Sequence, residues 1–153
     1  MRWLWHWGPV LIWAVVAWAF STSAFSDQQT LRFLMPLLHW MFPHATPPTL
    51  LLMHKAIRKA ALVGENFVLC LLLFRALRGD RSGWQLRWAL AAVAIAAGYA
   101  LVDEGHQMFA LGRGASLRDA LLDTSGAAMA QAAVWWHMGR GSLAKFSRIG
   151  SPS

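Results

Sequence analysis

Charged residues are scarce in this sequence. They make up 14% of the 153 residues, and hydrophobic residues make up 57%, whereas an ordinary soluble domain has about 25% charged and about 45–50% apolar residues. Acidic residues are the scarcest, with 7 Asp and Glu against 14 Lys and Arg. This composition argues against a soluble fold. Because the basic residues lie between long apolar runs, we interpret them as charges that flank a membrane, and we expect no nucleic-acid partner.

Cysteine and the common catalytic motifs are also missing. The single cysteine, Cys70, has no partner for an internal disulfide, so cysteine usage leaves the redox compartment open. No zinc-site spacing, glycine-rich phosphate loop, nucleophile elbow or HExxH motif is present. Asp103, His106 and Asp123 have side chains that bind metals, but their spacing is not diagnostic. We therefore predict neither a metal nor a cofactor.

Four apolar runs predict membrane-spanning helices, each of which needs about 20 residues to cross a bilayer. The runs are Trp7–Phe25, Ala60–Leu77, Trp88–Val102 and Ala120–Met138. The last two are rich in alanine, and such small residues allow membrane helices to approach closely. Tryptophans lie at several run ends, as in an aromatic belt.

The first run has two interpretations. Pro9 suits the start of a membrane helix. Arg2 and the small residues 22–24 also match the charged start and cleavage site of a signal peptide. The bulky Trp13 and Trp18 are unlike a compact signal sequence, and they favour a membrane helix.

The stretch from Ser26 to Pro48 contains four prolines and is therefore not predicted to form one spanning helix. It favours a short interfacial or re-entrant segment. The predicted fold is an all-α integral membrane bundle of four transmembrane helices with this segment after the first. The bundle covers residues 1–138, and residues 139–153 form a basic, solvated C-terminal tail. Eight basic residues lie on the side of the termini and six on the other, which favours both termini in the cytoplasm.

Five of the seven acids lie inside or at the ends of the predicted spans, all toward the side opposite the termini. They are Glu65, Asp103, Glu104, Asp119 and Asp123. A carboxylate in a bilayer costs about 2.5–3.5 kcal/mol on insertion scales, so it normally faces another carboxylate, a cation or water. Arg58 lies seven residues before Glu65 and shares its helix face, whereas Lys59 is less well aligned.

The acids near the third and fourth spans each have a structural and a functional interpretation. Asp119 fits a helix cap together with Ser116, whereas Asp123 lies a turn deeper. The segment from Asp103 to Gln107 is either a solvated helix end paired with Arg113 or a site where a carboxylate and an imidazole bind a ligand or exchange protons. We interpret five other histidines as interfacial side chains. They are His6, His39, His44, His54 and His137.

These residues, in this order, resemble the VanZ-like membrane proteins. A first span ends in serines and is followed by a basic pair and a carboxylate at Arg58, Lys59 and Glu65. The third piece resembles the family's DExHQ, glycine-arginine and DxxxDxxG pattern. Its residues are Asp103, Glu104, His106, Gln107, Gly112, Arg113, Ser116, Asp119, Asp123, Thr124 and Gly126. Two positions depart from the family, because Leu62 replaces a usual histidine and Asn66 a usual aromatic residue.

The resemblance implies a multi-pass protein of the bacterial inner membrane; one member of the family reduces the binding of teicoplanin to cells. It implies no established reaction, and three hypotheses stay open. In the first, the charged cluster binds an envelope lipid head group or cell-wall precursor through Arg58, Lys59, Glu65, Asp103, Glu104, His106, Gln107, Arg113, Asp119 and Asp123. In the second, Glu104 or His106, with Asp103, catalyses a transfer or hydrolysis at the membrane surface. In the third, the chain is an accessory subunit of a membrane protein complex, and its charges form a salt-bridge lattice. Membrane lipids are expected partners in each case.

Overall fold

The computed structural model describes residues 2–21, 27–111 and 117–149, with side chains at 2–20, 29–105, 118 and 120–138. These residues form five helices and no strand, so the prediction of an all-α fold is confirmed. The helices are α1 (Arg2–Ser21), α2 (Asp27–Met41), α3 (Pro47–Arg78), α4 (Leu86–Leu111) and α5 (Leu117–Ile149).

Three helices are long and apolar enough to cross a membrane. The spans are Arg2–Phe20, Pro47–Arg78 and Leu86–Gly105. Large apolar side chains point away from the protein on these helices, including Ile12, Leu90 and Val102, each more than half exposed. An apolar outer surface of this extent is typical of contact with lipid. The chain is therefore a membrane protein. The described part of α5 is not among the three spans, and its crossing of the bilayer stays a prediction.

The helices extend beyond the apolar runs that predict them. α1 begins at Arg2, so the prediction that Pro9 marks its start is wrong, and Pro9 lies inside the helix. α3 begins at Pro47, because Thr46 is extended and the two prolines that follow occupy the first helical positions, where no backbone N–H is needed. The backbone of α5 stays helical to Ile149, past the predicted domain boundary at residue 138.

The short helix α2 occupies the segment predicted to be interfacial or re-entrant. Its 15 residues, with Pro36 inside, span about 22 Å at 1.5 Å per residue and do not cross a core of about 30 Å. Leu38 is buried against the protein, whereas Phe33 and Trp40 are about four-fifths exposed. α2 packs against α3, so it covers one flank of the longest apolar span.

α3 is the central helix and packs against each of the other four. α1 runs antiparallel to it, because Arg2 at the start of α1 forms an ion pair with Asp80, just after α3 ends, while Trp13 lies beside Glu65. The turn from α3 to α4 contains Gly79, whose φ of 59° favours glycine over other residues. α4 therefore also returns antiparallel to α3.

α5 runs parallel to α3. Gln131 Nε2 donates to Cys70 Sγ at 3.2 Å. About two turns further along both helices, Arg78 Nη1 donates to Met138 Sδ at 3.8 Å. Buried alanines of α4 and α5 make this packing close: Ala92, Ala96, Ala127 and Ala130 are fully buried. The alanine-rich runs are thus used largely for packing within the chain.

Besides the Arg2–Asp80 ion pair, hydrogen bonds at Trp13 and Ala14 attach α1 to the bundle, and the one from Trp13 supports the first testable prediction. Trp13 Nε1 donates to the Glu65 carbonyl oxygen at 3.1 Å, and Tyr99 Oη donates to the Ala14 carbonyl oxygen at 2.9 Å. Trp13→Phe is expected to lower the free energy of unfolding by about 1 kcal/mol, the usual net contribution of one hydrogen bond. Thermal unfolding in detergent measures this loss. Trp40→Phe, on an exposed side chain of α2, is the matched control and should leave the Tm unchanged.

Candidate ligand-binding site

Three carboxylates from three helices converge on a small cavity. Glu65 comes from α3, Asp103 from α4 and Asp123 from α5, and we call the space they share the acidic cavity. Its other lining residues are Ala17, Leu62, Asn66, Leu69, Tyr99 and Ala100. The cavity has a volume of about 30 Å³, enough for roughly one water molecule or one functional group of a ligand.

Helical spacing explains how the acidic cavity is built. Tyr99 and Asp103 are four residues apart on α4 and therefore point to the same side. Asn66, next to Glu65, is 6% exposed, and its Oδ1 has no hydrogen-bond partner within the described part of the chain. Glu65 is repelled by the charges of Asp103 and Asp123 and attracted by that of Arg58. The cavity therefore favours a guest that donates hydrogen bonds.

A larger space, the Arg58 cleft, adjoins the acidic cavity. It has a volume of about 270 Å³, equivalent to roughly nine water molecules at about 30 Å³ each. Its lining residues are Phe20, Thr30, Arg58, Ala61, Leu62 and Glu65. Leu62 and Glu65 line both spaces, so the two spaces meet at these side chains. Arg58 Nη1 donates to Thr30 Oγ1 at 3.3 Å, so α2 closes one wall of the cleft.

The structure brings together four of the residues that the sequence singles out: Arg58, Glu65, Asp103 and Asp123. Lys59 is exposed and Glu104 half-buried, and neither lines the two spaces. The side chains of His106, Gln107 and Asp119, and the whole of Arg113, lie outside the described residues. The sequence predicts ten ligand-binding residues, and their participation in binding stays a prediction.

Sequence reasoning missed three residues of the site. Tyr99 is the single tyrosine of the chain, and its spacing of four from Asp103 is a signal that was available. Asn66 follows Glu65 directly and was noted only as a departure from the family. Thr30 carries no sequence signal, because its position depends on how α2 packs against α3. These residues add uncharged hydrogen-bonding groups to a site predicted to be mostly charged.

The interfacial interpretation is wrong for one histidine. His54 is fully buried, and neither of its ring nitrogens has a hydrogen-bond partner within the described residues. His39, His44 and His137 are exposed. Within the described side chains, no three of His, Cys, Asp or Glu are placed to bind a metal ion.

A match to a family model identifies the family of this chain. The model of the VanZ/LLP1 family matches residues 7–138, from α1 to the described end of the α5 side chains. The chain belongs to the VanZ/LLP1 family. The resemblance inferred from the sequence motifs is thus confirmed. No curated protein and no solved structure matches the chain significantly.

In this VanZ-like protein, one of the two departures from the family, Leu62, lies in the candidate site. It stands where the resemblance implies a histidine, and it lines both the Arg58 cleft and the acidic cavity. The departure from the family therefore falls between the single arginine and the three carboxylates. An imidazole is replaced there by an apolar side chain, which makes the wall shared by the two spaces less polar.

Proposed function

We propose that this VanZ-like membrane protein binds a polar envelope ligand in the Arg58 cleft, and that this binding affects sensitivity to glycopeptides. The ligand class is a lipid head group or a cell-wall precursor. The observation that carries the proposal is the adjacency of two spaces: a cleft with an arginine shares Leu62 and Glu65 with a cavity that has three carboxylates. Polar groups placed in this way inside membrane helices are costly and mark functional sites by default.

The charges of the site favour a ligand with two kinds of polar group. The Arg58 guanidinium binds a phosphate or carboxylate through two parallel hydrogen bonds. Glu65, Asp103 and Asp123 accept hydrogen bonds, so they favour hydroxyl or ammonium groups and repel a second anion. Phe20 and Leu62 provide apolar wall beside them. A head group with one anionic group, several donors and an attached apolar chain meets all three conditions.

The distribution of charge supports a place in the bacterial inner membrane with both termini in the cytoplasm. Arg2, Arg75, Arg78 and Arg81 lie where α1 begins and α3 ends. Asp103 and Asp123 lie nearer the opposite side of the bundle, toward the end of α4 and the start of α5. Lys and Arg are enriched in cytoplasmic loops. In this orientation the Arg58 cleft belongs to the outer half of the membrane.

Native mass spectrometry after purification in a mild detergent tests the proposal. Wild-type protein should retain a small molecule in stoichiometric amount, and Arg58→Gln should lose at least about nine-tenths of it, since a hydrogen bond to a charged group contributes about 1.5–3 kcal/mol. Lys55→Gln is the matched control, because Lys55 is exposed on the same helix three residues earlier. It should retain the molecule.

Other outcomes distinguish the remaining hypotheses. Full retention of the molecule by folded Arg58→Gln contradicts the proposal. A stoichiometric protein partner without a small molecule supports the accessory-subunit hypothesis. Chemical conversion of the molecule by wild-type protein, but not by Glu104→Gln, supports the enzyme hypothesis.

A further inference from the structure

A second pocket lies at the other end of the bundle, where α1 begins and α3 ends. It has a volume of about 370 Å³, equivalent to roughly twelve water molecules, and we call it the Arg78 pocket. Its lining residues are Trp3, His6, Trp7, Ala76, Leu77, Arg78, Gly79, Asp80 and Arg81. None of these residues lines the acidic cavity or the Arg58 cleft. The pocket is therefore separate from the site described above.

The two arginines that line the Arg78 pocket form no ion pair with a carboxylate of the described residues. Its one acid, Asp80, forms an ion pair with Arg2 and lies 3.4 Å from His6 Nε2. Arg81 lies over the ring of Trp88 at 5.8 Å. Within the described residues, neither Arg78 nor Arg81 has a carboxylate partner. An anion entering this pocket meets two guanidinium groups and an acid that is already paired.

The guanidinium of Arg78 has no strong hydrogen-bond acceptor among the described residues. Its Nη1 donates to the thioether of Met138 at 3.8 Å, and a thioether is a weak acceptor. Its Nε is buried without a hydrogen-bond partner in the part of the chain that the structure describes. A buried donor left unmet carries a desolvation penalty. Nε and a terminal nitrogen of a guanidinium together form the fork that binds two oxygens of one phosphate.

The tryptophans of the Arg78 pocket favour a lipid head group as the source of a bound phosphate. Trp3 and Trp7 stack at 6.2 Å between ring centroids, and Trp3 is 61% exposed. Tryptophan settles at the level of the lipid head groups, where one side of the ring is apolar and the other polar. The pocket thus combines an aromatic wall typical of the membrane surface with the guanidinium of Arg78.

We propose that the Arg78 pocket binds the phosphate of an anionic phospholipid head group. Delipidated protein in detergent, titrated with phosphatidylglycerol and observed by native mass spectrometry, is the test. Wild-type protein should bind one phosphatidylglycerol in preference to phosphatidylcholine. Arg78→Gln should weaken this binding about tenfold or more, because hydrogen bonds to a charged group are lost. Arg78→Lys should bind with intermediate affinity, since it keeps the charge and loses the fork.

The matched control is Arg87→Gln. Arg87 is exposed, lies over the same Trp88 ring and donates to Gln85, and it does not line the pocket; its variant should bind like wild type. Equal affinity of wild type and Arg78→Gln for phosphatidylglycerol overturns the proposal, as does equal binding of phosphatidylcholine. Displacement of the lipid by millimolar inorganic phosphate assigns the site to free phosphate and overturns the lipid assignment. If Arg78→Gln does not fold, the wild-type Tm decides, because phosphatidylglycerol should raise it and phosphatidylcholine should not.

Discussion

Replacing Gly126 by alanine is expected to destabilise the protein more than any other small substitution proposed for it. A Cβ at this position would overlap the Val63 carbonyl oxygen and lie 3.0 Å from the Val63 carbonyl carbon and 3.2 Å from the Phe67 nitrogen. All three are backbone atoms of α3, which no rotamer change moves aside. α5 must therefore shift away from α3. Overpacking of this kind costs about 1–3 kcal/mol and occasionally more.

The shift should also disturb the acidic cavity, because Asp123 lies one turn before Gly126 on α5. We expect a fall in Tm of about 2–12 °C, converted from the cost above with the usual entropy of unfolding for a chain of this size, and weaker retention of the ligand. Gly98→Ala is the matched control, since a Cβ there meets nothing within 4 Å. Its Tm should stay level or rise, because alanine favours a helix over glycine. An unchanged Tm for Gly126→Ala would show that α5 does not pack as closely on α3 as described.

Replacing Glu65 by glutamine is expected to weaken ligand binding while leaving the fold at least as stable. Glu65 is the residue that lines both the Arg58 cleft and the acidic cavity and carries a charge. Its carboxylate is repelled by Asp103 and Asp123. Glutamine has nearly the same shape and removes this repulsion, so the Tm of the ligand-free protein should rise. Loss of charged hydrogen bonds to the ligand should lower affinity by about 10- to 100-fold.

The combination of the two results separates a binding site from a structural lattice of charges. In a lattice, Glu65→Gln would lower the Tm, because the remaining charges would lose a partner inside the bundle. Asp80→Asn is the control acid. It removes an exposed ion pair with Arg2, which contributes about 0–1 kcal/mol, and it should leave binding in the Arg58 cleft unchanged, because Asp80 does not line that cleft. A stabilised Glu65→Gln variant that binds like wild type would remove Glu65 from the site.

Much of the helical framework is predictable because it depends on local pattern. The apolar runs locate the cores of α1, α3 and α4. Pro43, Pro47 and Pro48 lie between α2 and the first turn of α3, whereas Pro36 lies inside α2. The spacing of seven predicts that Arg58 and Glu65 share a face, and both line the Arg58 cleft. The start of α1 was mispredicted, because Pro9 is tolerated inside a helix once packing against α3 and α4 stabilises the rest of it.

The sequence by itself determined the class of the protein and the chemistry available to it: apolar helices that cross a membrane, few acids that fall within or beside those helices, and the order of residues typical of the VanZ-like family. The tertiary structure decided which of those residues meet. The parallel packing of α5 on α3 places Asp123 beside Glu65, and the position of α2 places Thr30 beside Arg58. It also buries His54 and leaves Arg78, beside a pocket, without a carboxylate partner among the described residues. These contacts join residues far apart in the chain, and their geometry depends on the packing of whole helices rather than on local periodicity.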